Sequence, residues 1–66
     1  MNRELVKEAI AIVGGQVAVA EALGVKQPAV SAWVKAGRVS YKRYRALSKL
    51  TGGKITPEQL RPDLEV

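Results

Sequence analysis

Sixty-six residues make one small domain with a marginal core, and the absence of Cys and His excludes disulfides, thiolate metal sites and zinc fingers. The net charge is +5, and Lys26, Lys35, Arg38, Lys42, Arg43, Arg45, Lys49 and Lys54 fill a window between Glu21 and Glu58 that holds no acid. Such a single-signed block suits a polyanion, nucleic acid first and an anionic membrane second.

The first helix is expected to be capped by Asn2 and to end near Val13, with Glu4 in the favourable first turn. Leu5, Val6, Ala9, Ile10 and Val13 recur at i, i+1, i+4, i+5 and i+8 and make one apolar face. Ile12 lies at the edge of that face, and Arg3, Glu4, Lys7 and Glu8 form a mixed-charge outer face. The longest apolar run, residues 9–13, is too short to span a bilayer. Glu4 and Glu8 argue against a signal peptide, so a soluble, cytoplasmic protein is expected.

Gly14-Gly15 stops the first helix. Gln16 opens a second that runs to about Leu23. Its valines alternate as in a strand, but three alanines with Glu21 and Leu23 favour a helix, and the flanking glycines limit it to about two turns. Gly24 ends it. The third helix begins near Gln27 with Pro28 at the first helical position and ends by Ala36-Gly37.

Arg38-Val39 form a connection, and Ser40 is placed to cap a fourth helix over 41–51. On that helix Tyr44, Leu47 and Leu50 share one face, while Lys42, Arg45 and Lys49 form a basic stripe. After Gly52-Gly53, the run Thr56-Pro57-Glu58-Gln59 carries a cap, an early proline and Gln at the capping-box position, with room for one turn before Pro62. The tail is expected to be extended, with Leu60 and Leu64 available to pack back on the core. No segment has a hairpin pattern. The expected fold is all-α, a small bundle of four helices plus a short fifth, in a single domain over 1–66.

Residues 16–35 organise this chain. Ala20 is small where two helices must touch, and Gly24 permits the reversal between them. Val19, Leu23, Val25, Val30 and Trp33 fall where a two-helix core needs apolar groups. Lys26, Gln27, Ser31 and Lys35 share the outward face of the second of these helices. That is the layout of a helix-turn-helix, whose second helix enters the DNA major groove. There Gln27 can pair with adenine, Ser31 with several base edges, Ala32 with a thymine methyl, and Lys35 with guanine or phosphate. Pro28 offers van der Waals contact only. Phosphates are expected at Gln16 and the start of the second helix, and at Lys26, Arg38, Lys42 and Arg43.

With those residues in view, 16–35 resembles the helix-turn-helix of the lambda-repressor and Cro family, with its opening Gln16, Ala20, the Gly24-Val25 turn, Val30 and Trp33. The whole chain is similar to bacteriophage Cro repressors of the branch with a helical C-terminal half, whose ending GRVSYKRYRALSKLTGGKITPEQLRPDL resembles. The resemblance implies that Gln16 meets phosphate and that Lys26, Gln27, Pro28, Ser31, Ala32 and Lys35 face the groove. It also implies a phage or prophage repressor in a bacterial host, binding a palindromic double-stranded operator as a homodimer. Pro28 and Ala32 depart from the Gln, Ser or Asn common at those positions, which reduces polar base contacts. The tail lacks the β-hairpin through which other Cro proteins dimerise, so a dimer forming mainly on DNA is expected.

Catalysis is not expected. Ser48 and Lys49 are adjacent and do not face each other on a helix, and neither glycine pair belongs to a phosphate-binding loop. No metal, cofactor, small-molecule ligand or membrane partner is implied. The alternative is a protein-interaction or antitoxin-type module on the same core, for which Leu60, Leu64 and Val66 would supply an apolar patch.

Overall fold

A computed structural model describes residues 3–65. It contains α1 (Arg3–Val13), α2 (Gln16–Leu23), α3 (Gln27–Ala36), α4 (Tyr44–Leu50) and α5 (Pro57–Leu60), with no strand among the described residues. The Asn2 cap lies outside the described residues. The fold is the all-α bundle of four helices and a short fifth expected from the sequence.

The first helix is the hub, touching each of the other four. Val6, Ala9 and Ile10 are buried on the face its periodicity marks, Leu5 and Val13 flank them, and Ile12 stays out. Around them close Val19 and Ala20 of α2, Val30 and Trp33 of α3, and Tyr44 and Leu47 of α4, with Val39, Ile55 and Leu60 completing the core. Each such aliphatic side chain contributes about 1.5–3 kcal/mol on leaving water.

Local chemistry sets the helix ends. Gly24 takes φ 69°, while the Val25 N–H reaches back to the Ala20 carbonyl at 3.0 Å. This left-handed stop lets a three-residue turn connect α2 to α3. Gly37 closes α3 in the same way at φ 74°. A Cβ there would lie 3.1 Å from Arg3 Cγ, so a side chain would require Arg3 to give by a few tenths of an ångström. Arg3 Nε donates to the Lys35 carbonyl at 3.1 Å, so the start of α1 is pinned to the end of α3.

Four details differ from the sequence reading. Pro28 is the second residue of α3, because extended Lys26 is its cap and Gln27 its first residue; a proline is equally harmless there. Helix α4 starts at Tyr44 rather than at 41. The Ser40 carbonyl accepts from the N–H groups of Arg43 and Tyr44 at 2.9 and 3.0 Å, and Ser40 Oγ accepts from Lys42 N–H at 3.3 Å, which makes a tight turn. Burying Val39 while Tyr41 points out requires that turn before the helix can begin. Leu50 is 40% exposed, because the inward face of α4 continues through Ser48 and Thr51 instead. Finally, the tail turns: the N–H groups of Leu64 and Glu65 both donate to the Arg61 carbonyl, at 3.0 and 3.2 Å. Leu60 is buried, but Leu64 is 42% exposed.

Ser48 and Thr51 tie α4 to the segment before α5. Ser48 Oγ donates to the Ile55 carbonyl at 2.7 Å, Thr51 Oγ1 lies 2.6 Å from the Ser48 carbonyl, and Ile55 N–H donates to Thr51 Oγ1 at 3.2 Å. Thr51 has one hydroxyl hydrogen and its shorter contact uses it, so the Ile55 carbonyl depends on Ser48. Ser48→Ala strands that buried acceptor and is expected to cost about 1–3 kcal/mol in urea unfolding. A loss below a few tenths would mean that the carbonyl finds another donor. The fifth helix begins with the expected capping box: Gln59 N–H donates to Thr56 Oγ1 at 3.2 Å, and Thr56 N–H donates to Gln59 Oε1 at 2.9 Å.

Candidate nucleic-acid interface

Helix α3 presents two opposed faces. Val30 and Trp33 are buried, with Trp33 only 8% exposed. Gln27, Pro28, Ala32 and Lys35 are exposed and Ser31 is partly so, which places all five on one outward face. The remaining edge of the indole forms part of a cleft of about 390 Å³, with Arg38, Val39, Ser40, Tyr41 and Arg61 around it.

Neither α2 nor α3 has a side-chain cap or an acid in its first turn, so the positive end of each helix dipole is left unneutralised by its own residues. Gln16 is the first residue of α2 and is partly exposed. Lys26, Arg38 and Lys42 are exposed and Arg43 is partly so. Among the described residues none of Lys26, Lys35, Arg38, Lys42 and Arg43 forms an ion pair. Lys42 Nζ instead lies 5.8 Å from the centre of the Tyr41 ring.

The profile of the family described as "Bacterial toxin YdaS" matches residues 6–66. The chain belongs to the YdaS family. It is 43% identical over 60 residues to the Escherichia coli (strain K12) protein named "Putative transcriptional regulator YdaS", covering 89% of this chain and 61% of that one. The chain thus spans about three-fifths of that relative's length. In structure it is similar to the Cro protein from putative prophage element Xfaso 1 in Xylella fastidiosa strain Ann-1, with a TM-score of 0.85 and 38% identity over 97% of this chain and 95% of that one. The structural likeness agrees with an all-helical, Cro-like helix-turn-helix fold.

In this YdaS-family chain the tail also closes on the basic region, which the sequence reading missed. Tyr44 OH donates to Glu65 Oε2 at 2.7 Å, Arg45 Nη2 donates to the same oxygen at 2.7 Å, and Arg45 Nε donates to Tyr44 OH at 3.2 Å. Arg61 grips Asp63 through Nε at 3.0 Å and Nη2 at 2.8 Å, and its Nη1 donates to the Val39 carbonyl at 2.8 Å. The two acids that follow Arg61 at every second position, Asp63 and Glu65, were the available signal. Of the apolar residues named for an interaction module, Leu60 is buried, Leu64 is exposed and Val66 lies outside the described residues.

The tail contacts predict an acid-sensitive part of the stability. The Arg45 and Tyr44 hydrogen bonds hold the Glu65 carboxyl below its ordinary 4.5. The Arg61 hydrogen bond, with help from the charge of Arg38, holds Asp63 below its ordinary 3.8. Both carboxylates stay ionised to lower pH folded than unfolded. Their contribution is therefore complete above about pH 4.5 and is lost as the pH falls through the folded values. The melting temperature is expected to fall more steeply below about pH 4.5 in wild type than in Asp63→Asn/Glu65→Gln. Parallel curves would show that these acids play no part.

Proposed function

We propose that this chain is a sequence-specific, double-stranded DNA-binding transcription regulator: a phage or prophage Cro-type repressor that reads a palindromic operator with α3 in the major groove. The observation that carries this reading is the division of α3, with Trp33 inside and Gln27, Pro28, Ser31, Ala32 and Lys35 outside. Gln27 and Ser31 supply hydrogen bonds to base edges, Lys35 reaches a guanine or phosphate, and Pro28 and Ala32 supply apolar contact. Gln16 at the start of α2, with Lys26, Arg38, Lys42 and Arg43, meets backbone phosphates. The Cro likeness supports repression in a bacterial cytoplasm. With no strand among the described residues to build a pairing hairpin, two copies join mainly on DNA.

The test is selection of bound duplex from a random pool at two salt concentrations. The expected product is an inverted repeat with half-site centres one helical turn apart, about 10 base pairs, bound less tightly at the higher salt. A pool that stays random through the selection overturns sequence-specific reading.

A further inference from the structure

The acid-free window of the sequence does not stay acid-free in space. The tail brings Asp63 and Glu65 back into it, onto Arg61 and Arg45, and Asp63 also feels the charge of Arg38. The contrast with the unpaired cations of the α3 face divides the basic residues into two sets.

Resting on the DNA-binding reading above, we infer that Asp63 and Glu65 are internal counter-charges that withhold the guanidinium groups of Arg61 and Arg45 from DNA, so that sequence-independent binding is held down relative to operator binding. A guanidinium binds carboxylate and phosphate with the same fork of N–H donors. Arg61 spends Nε, Nη1 and Nη2 on Asp63 and Val39, and Arg45 spends Nε and Nη2 on Tyr44 and Glu65. Arg61 has all three nitrogens engaged and is only 11% exposed as a side chain, whereas Arg45 keeps its Nη1 edge open and is held back by the adjacent Glu65 charge. Arg45 is nevertheless 71% exposed as a side chain, whereas Glu65 is 18% exposed, so removing the acid's charge uncovers a cation at the surface.

Binding without sequence preference comes almost wholly from phosphate neutralisation and counterion release. Two cations withheld therefore weaken binding to any duplex. The base-edge groups Gln27 and Ser31 are untouched by the tail pairs, so the operator keeps its extra contacts. The acids thus set the ratio between operator and bulk DNA, the quantity that matters against a genome of competing sites.

The experiment compares wild type, Asp63→Asn/Glu65→Gln and Glu8→Gln on a random-sequence duplex and on the selected operator across a salt series. The two tail substitutions keep side-chain shape, and melting curves at the assay pH establish that each variant is folded. In the double variant the slope of log Kobs against log salt is expected to steepen by about 0.9 for each guanidinium freed. The operator's advantage over random duplex should shrink several-fold at low salt. Glu8→Gln changes net charge on the outer face of α1 and should leave the slope alone. An unchanged slope in the double variant, or an equal change in Glu8→Gln, overturns the inference while leaving DNA binding standing. A wild type that binds neither duplex overturns the DNA reading itself. If the double variant melts under assay conditions, Arg45→Gln decides: a wild-type slope is expected, and one flatter by about 0.9 overturns the proposal.

Discussion

Trp33→Ala is expected to remove roughly a third or more of the folding stability at 25 °C and to lower the urea midpoint sharply. The indole is 8% exposed and is the largest side chain of a core shared by α1, α2, α3 and α4. Removing a buried tryptophan costs about 3–5 kcal/mol, because the lost transfer free energy is joined by the cavity left behind. A domain this size holds only about 0.05–0.15 kcal/mol per residue in total. Far-ultraviolet circular dichroism should show helix lost at lower urea than in the wild type. A variant that melts within a few degrees of wild type would show that the indole is not a structural centre.

Gln27→Ala is expected to relax discrimination at one base pair of each half-site by about 1–3 kcal/mol, or roughly 5- to 150-fold, with the melting temperature unchanged. Ser31→Ala should do the same at a neighbouring pair with a smaller loss, since one hydroxyl replaces a bidentate amide. The salt slope should stay as in wild type, because neither side chain is charged. Lys26→Ala should behave in the opposite way, weakening all duplexes alike and flattening the slope by about one unit. Competition binding with operators altered one pair at a time separates the two patterns. Equal losses on every duplex for Gln27→Ala would place that side chain on the backbone rather than on a base.

The parts of the fold that were legible are those that short-range chemistry decides. Gly24 and Gly37 stop their helices, and Pro28 sits at a helix start. The Thr56–Gln59 box could be read from four adjacent residues. The two faces of α3 follow from the spacing of Val30 and Trp33 against Gln27, Ser31 and Lys35. What was not legible depends on residues far apart in sequence. Arg45 meets Glu65 across 20 positions and Arg61 meets Val39 across 22. Those contacts bend the tail that composition alone suggested would be extended. The late start of α4 has a similar cause, since it depends on burying Val39 under the rest of the bundle. Leu50 was placed inward by its spacing from Tyr44 and Leu47, but Ser48 and Thr51 take the inner face because their hydroxyls satisfy a buried connection. Contacts to a duplex depend on a second molecule and so stand as proposals.

The contact between Arg3 and the end of α3 has a practical consequence for handling the protein. Arg3 is bonded to the Lys35 carbonyl, and its side chain packs tightly against Gly37. Anything fused ahead of Arg3, whether an affinity handle or a dye, emerges beside the C-terminal turn of α3. Its bulk would stand next to Lys35, and its charge would add to or subtract from the local field. On the proposed DNA-binding reading, a tag at that end should shift the affinity and is best cleaved before any titration.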